Sequence, residues 1–447
     1  MSGKEKTSPT DKPVAVTVRR SRRMWFAVLS AVVAVCVLAF VFYPVSRPRA
    51  RDSVVLKSIQ DRGGRVLWQR PFWPSVINQF LLGLKKYNPK FDVPHHVSIL
   101  KATGEELAEV RRFRLIARLE LYGGKLDDEL LQTVAGLSSL ESLDLYDFEM
   151  TDEDLKRVVA ALRRPQKLQV IRLRNTSITD QGLAILSRCP SLQMIEIDGS
   201  RIRGTDLSQL SSLKIAYLTL QRSQVGDDAI PKLVSQWGGS LRQVQLDGNP
   251  LTDAGLSRLD GCPGLDVLGI GGTRVTPEGV RALVSRQTMS GVIFNDLPWT
   301  MQDLASFNFG LKNPYQLELA GWNIDDNDLK SLPQMPGLTI LDLSRTKITD
   351  AGLKELARFP KLMMVKLDGT QVTIKGLTEL GKVLTTPGQI SIGKTGVTYK
   401  DLIELPTPLP YQNIVLDGME LTNEELRSLI RKNPKCSIKA DDRFFMP

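Results

Sequence analysis

Leu338–Lys361 reads LTILDLSRTKITDAGLKELARFPK, and these 24 residues decide the fold. Leu341 and Leu343 alternate with a polar residue, which predicts a short strand with its leucines facing a core. Thr349 stands directly before Asp350, placing a threonine at a helix N-cap and an acid in the first turn, where the helix dipole favours it. Leu353 then packs back beneath the strand. One such unit cannot bury its own leucines, so copies must stack side by side.

The spacing L-x2-L-x-L-x4-I-T-D-x2-L recurs along the chain. Copies start at Ile116, Leu140, Leu168, Leu192, Ile215, Leu241, Leu265, Met289, Pro314, Leu338, Leu362, Pro387 and Tyr411, in steps of 23–28 residues. Leu168–Ser191, LQVIRLRNTSITDQGLAILSRCPS, is as clear as the first quoted copy. Thr276-Pro277 puts proline at the first helical position and threonine at the cap. Thr151 with Asp154, and Thr422 with Glu425, place an acid three residues after the cap, the second pair matching a capping box. The fourth copy has Arg203-Gly204 in place of Thr-Asp, and the eighth has the strand M-S-G-V-I-F.

These copies resemble leucine-rich repeats of the ribonuclease-inhibitor and cysteine-containing type, above all in TDAGL (Thr252–Leu256, Thr349–Leu353) and in Cys189-Pro190 and Cys262-Pro263. With the apolar N-terminal stretch described next, the chain resembles bacterial, planctomycete-type membrane-anchored leucine-rich-repeat proteins. The resemblance implies an α/β solenoid, a right-handed horseshoe of about thirteen repeats. A structured cap is expected over 52–115, with a strand at Gly64–Arg70, an amphipathic helix at Ser75–Lys86 and a strand at His95–Leu100. The repeats are expected over 116–434. A C-terminal cap over 435–447 contains a last partial copy around Ile438, with Phe444 and Phe445 closing the end.

Met24–Tyr43 has no charged residue and is long enough, at ~1.5 Å per residue, to span the ~30 Å of a bilayer interior. Its length and its Phe42-Tyr43-Pro44 ending argue against a cleaved signal. The expectation is a basic cytoplasmic tail over 1–23, its first part disordered, a transmembrane helix over 24–43 and a linker over 44–51. The repeats then lie outside the cytoplasm, in a single-pass inner-membrane protein. Of the formal charge of +10, residues 1–51 carry +8 and the remaining chain only +2. No broad basic field exists beyond the tail, which excludes a nucleic-acid binder.

Catalytic chemistry is poorly supplied. His95 and His96 are the only histidines, and neighbours on a strand point to opposite faces. Cys36 lies in the apolar stretch. Cys189 and Cys262 share a repeat position three copies apart, too far for a disulfide, and with Cys436 read as small buried residues. Gly388–Thr395 satisfies the phosphate-loop pattern G-x4-G-K-T. Register instead places Ile390 and Ile392 on a strand, and Lys394 in the same turn as Gly369 and Gly272, so nucleotide binding is a remote alternative. The TD acids read as helix starters. No enzyme activity, cofactor or metal is expected.

Function is expected on the outward side chains of the strands. Tyr122, Tyr146, Arg172, Arg174, Glu196, Asp198, Tyr217 and Gln221 form a tyrosine- and arginine-rich patch on the early copies, the composition of protein-binding hot spots. Later copies offer Gly269, Gly271, Ser391 and Gly393. The expected partner is a protein or envelope component; a cytosol-facing adaptor is the alternative.

Overall fold

The computed structural model describes residues 54–69, 93–286, 288–307, 314–384, 388–404, 411–441 and 443–445. Strand β1 (Arg65–Gln69) pairs antiparallel with β2 (Val93–Leu100). From β2 onward the strands run parallel, one per copy: β3 (Arg118–Tyr122), β4 (Ser142–Tyr146), β5 (Val170–Arg174), β6 (Met194–Asp198), β7 (Tyr217–Gln221), β8 (Gln243–Gln245) and β9 (Val267–Gly269). They continue as β10 (Gly291–Ile293), β11 (Gln316–Glu318), β12 (Ile340–Asp342), β13 (Met364–Lys366), β14 (Gln389–Ser391), β15 (Asn413–Val415) and β16 (Ser437–Ala440). Strand β17 (Arg443–Phe445) turns back antiparallel on β16.

The alternation read from the sequence becomes a ladder. Val97, Leu119, Leu143, Ile171 and Ile195 stand in register, and the row continues through Leu218, Leu268, Leu317 and Leu341 to Ile438. None of these is more than 2% exposed. Short helices cover the other side of this core. Even the divergent eighth copy keeps its place, β10 pairing with both neighbours. Beneath it Phe294, Trp299, Phe307 and Trp322 meet edge to face at 5.3–6.0 Å between ring centres.

The threonines cap their helices as their position predicts: Thr151, Thr179, Thr252, Thr276, Thr300, Thr349 and Thr422 each accept a backbone N–H of the first turn. The acids do more than face a helix dipole. Each of Asp152, Asp227, Asp253, Asp326 and Asp350 accepts the hydroxyl and backbone N–H of the cap threonine in the next copy, the hydroxyl at 2.6 Å throughout. Thr-Asp is therefore a staple between copies. Where Arg203-Gly204 stands in its place the staple shifts to Thr205, whose hydroxyl and N–H Asp180 accepts at 2.9 and 3.0 Å along with the amides of Arg203 and Gly204, and that copy keeps only a three-residue 3-10 turn, Ser208–Leu210.

The two ends of the array meet. Arg427, on the last helix (Asn423–Lys432), donates to the Asp61 carbonyl at 2.8 Å and its carboxylate at 3.2 Å, 366 residues away. Gly63 lies flat against Arg443, leaving no room for a side chain of its own. The expected open horseshoe is thus drawn into a ring.

The expected inner-membrane placement is corrected. Among the described residues no helix is long and apolar enough to cross a membrane. The longest, such as Asp152–Ala161 and Asn423–Lys432, have 10 residues, ~15 Å against the ~30 Å required. Met24–Tyr43, on which that expectation rested, lies outside the described residues, as do the tail, the linker and Ser75–Lys86.

Candidate functional site

Strand side chains that do not enter the leucine ladder face the inside of the ring. On β3–β7 they form a chain of opposite charges. Arg118 bridges Glu120 at 2.5 Å and Asp144 at 2.8 Å, and His96 approaches Glu120 at 3.2 Å. Arg172 reaches Asp144 at 3.2 Å and Glu196 at 2.9 Å. Arg222 holds Asp198 at 2.6 Å, with Arg174 further off at 3.8 Å.

Burial sets the electrostatics of this chain. Asp144 is fully buried, and burial lifts its carboxyl above the usual range although Arg172 and Arg118 pull it down. Asp198 is raised by burial too, against Arg222 and Arg174. At Glu120 burial is outweighed: His96, Arg118 and Arg65 hold the carboxyl low.

Among the expected site residues, Tyr122, Tyr146 and Arg174 form a stack. The two rings lie 4.8 Å apart, and the Arg174 guanidinium sits 4.8 Å above Tyr146. Tyr146 itself is only 7% exposed, and burial together with Asp144 and Glu196 raises its phenol. Arg172 is likewise enclosed between its carboxylates, whereas Arg174 and Tyr217 remain 44% and 40% exposed. Gln221 is turned to its neighbours, donating to Gln245 at 3.3 Å and Asp247 at 3.0 Å. The patch therefore has a fixed interior and an accessible edge.

Fourteen repeat strands in one parallel register, stapled by Thr-Asp pairs, stand beside a match of residues 335–357 to the family model described as "Leucine Rich repeat". This is a leucine-rich-repeat protein.

Leucine-rich-repeat protein 42 of Danio rerio, in full "Leucine-rich repeat-containing protein 42", is 28% identical over 168 residues, covering 34% of this chain and 41% of the relative. The "NLR family CARD domain-containing protein 4" of Mus musculus is 24% identical over 184 residues, 36% of this chain and 18% of the relative. The chain thus spans less than half the length of either curated relative. Among solved structures, an internalin from Listeria monocytogenes aligns over 89% of this chain and 98% of its own at 17% identity and a TM-score of 0.36.

The remaining motifs take repeat positions. Gln389–Ser391, inside the phosphate-loop match, is β14. Lys394 has φ 54°, the left-handed turn conformation that Gly369 and Gly272 adopt at φ 66° and 60°. The Gly393 N–H is already given to Asp368 at 2.6 Å, so it is not aimed at a phosphate. Gly269 and Gly271 are not an open cleft, because the Asp247 carboxylate occupies the space their side chains would fill. Cys189, Cys262 and Cys436 are buried free thiols, pushed up by burial to about 11, 11 and 12. Among the described residues no group of three or more His, Cys, Asp or Glu could hold a metal ion.

Sequence reasoning did not join Arg118, Glu120 and Asp144 into the site. Their pairing crosses strands, and repeat spacing fixes which face a side chain takes, not which neighbour it reaches. Arg222 and His96 gave no separate signal.

Proposed function

We propose that this leucine-rich-repeat protein has a non-enzymatic role, binding another protein through the inner face of the sheet. The contact is centred on Tyr122, Tyr146, Arg172, Arg174, Glu196, Asp198, Tyr217 and Gln221. The supporting observation is the Tyr122–Tyr146–Arg174 stack, which delivers an exposed guanidinium from a rigid base at the C-terminal end of the strands, while the exposed ring of Tyr217 stands two strands on, at their N-terminal end. Tyrosine and arginine dominate binding hot spots, and side chains already fixed lose little freedom on binding.

The test places a photo-crosslinking amino acid at Gln221 in the full chain, in its native cells. Arg174→Ala with Tyr217→Ala should lower the yield of the crosslinked partner about tenfold or more, each hot-spot side chain contributing ~1–2 kcal/mol. Gln389→Ala with Asn413→Ala, on β14 and β15 of the same face, should leave it intact. Retention of the crosslink in the first pair would overturn the reading. Loss only in the second would move the site to the late copies.

A further inference from the structure

Contact between the first and last elements changes what the inner face can bind. Asp61 and Gly63 abut Arg427 and Arg443, so the sheet lines a channel and is not an open groove. Seventeen strands spaced ~4.8 Å apart give a backbone-to-backbone width of about 26 Å. Sheets pack face to face at ~10 Å, so side chains take about 5 Å from each wall and leave an opening of about 16 Å. An α-helix with its side chains is about 10–12 Å across and fits. A 100-residue domain, with a radius of gyration of about 13 Å, does not. The lumen is open to solvent, as the exposure of Tyr217 and Arg174 shows.

The lumen also has a chemical polarity. On β8–β13 and the residues just beyond each strand, Asp247, Glu318, Asp342 and Asp368 face Lys366, while the other cation among the described residues there, Arg345, is taken by Asp296 at 2.6 Å. Lys366 is shared between Glu318 at 3.3 Å and Asp342 at 3.1 Å, which leaves Asp247 and Asp368 without a cation. At the entrance formed by the strand N-termini the side chains are mixed: Tyr217, Ile340 and Met364 stand among Arg118, Ser142, Gln243, Gln316 and Asn413. A partner complementary to the acidic zone is cationic.

We infer that the channel takes a single slender polypeptide segment, basic in character, which enters end-first. This inference rests on the inner-face reading above and names the kind of partner. It requires a segment with a free end, because the described ends of the ring meet and leave no side entrance between them.

The test uses the unaltered protein and a fluorescent peptide, LKKLLKLLKKLLKL, with the charge-reversed LEELLELLEELLEL as comparison. Each is prepared with free ends, with one end fused to a folded 100-residue domain, and with both ends so fused; binding is read by anisotropy. The basic peptide should bind with free ends or one fusion, at least tenfold more tightly than the acidic peptide, and the double fusion should lose at least tenfold. Glu318→Gln with Asp368→Asn, which keeps Asp342 for Lys366, should weaken the basic peptide by a similar factor and steepen no salt dependence. Joining Asp61→Cys to Arg427→Cys with a short bismaleimide should preserve binding of the free-ended peptide. If the carboxylate variant fails to fold, the double fusion on the unaltered ring still decides.

Equal binding of the double fusion would show sideways entry and overturn the inference, while leaving inner-face binding intact. Equal affinity for the acidic peptide, or no binding of the basic one, would also overturn it. The Gln221 crosslink, in contrast, answers for the broader reading alone.

Discussion

The Asp326 carboxylate of one repeat rests on the Cα of Gly352 in the next, so closely that a Cβ there would lie 2.3 Å from its Oδ1. The same carboxylate accepts the N–H and hydroxyl of Thr349 at 2.9 and 2.6 Å. Gly182, Gly255, Gly279 and Gly376 meet Asp152, Asp227, Asp253 and Asp350 in the same way, at 2.1–2.4 Å. T-D-x-G is one device: threonine donates backward, aspartate accepts forward, and glycine leaves the space the preceding aspartate fills.

Gly352→Ala should therefore destabilise the protein, although alanine is the better helix former by ~1 kcal/mol. Displacing the carboxylate costs about 1–3 kcal/mol, as overpacking generally does. Gly239→Ala, where nothing lies within 4 Å of the new methyl, should be neutral or slightly stabilising. Urea unfolding of the two variants gives the comparison, and a Gly352→Ala protein as stable as the parent would remove glycine from the device.

Arg172 and Arg174 should separate in the same kind of experiment. Arg172→Met leaves Asp144, fully buried, with Arg118 alone, and losing one partner of a buried pair typically costs about 3–5 kcal/mol. Arg174 is 44% exposed and stands 3.8 Å from Asp198, which Arg222 already holds, so Arg174→Ala should cost less than about 0.5 kcal/mol. Thermal melts of both variants at one pH test the difference. Similar losses would mean that the ion-pair chain does not support the fold as described.

Asp247 should make the protein less stable as pH rises. Burial pushes its carboxyl up to about 6, despite hydrogen bonds from Gln221 and the Gly271 amide, with Glu318 adding to the rise. The folded state thus holds this proton more tightly than the unfolded chain, whose aspartate titrates near 3.8. Its contribution is fully present below pH ~4 and is lost between ~4 and ~6, at up to about 1.4 kcal/mol per pH unit. Asp247→Asn cannot titrate, so its melting temperature relative to the parent should climb across that window and level off above it. A constant difference from pH 4 to pH 7 would place Asp247 at its ordinary value.

The strands and caps were legible because each depends on residues within one 24-residue unit. Leu341 and Leu343 face the core, and Thr349 caps its helix, as their local pattern dictates. Gly352 was quoted as part of TDAGL without a reason, since its reason lies in the previous copy. The site was legible only as a face. That Tyr146 is enclosed while Tyr217 is exposed depends on what adjacent strands place beside them, which neither repeat shows by itself. The meeting of Asp61 with Arg427 was beyond reach, because period fixes spacing along the array and not its curvature.

That meeting bears on how such an array can change over generations. An open solenoid tolerates gain or loss of a unit, since every internal interface is equivalent to the next. Here one added copy would push Arg427 a strand's width from Asp61, and one deleted copy would force their elements into the same space. Duplication, the usual currency of repeat families, is closed to this chain unless both ends are rebuilt together, so its copy number is a conserved quantity of its geometry.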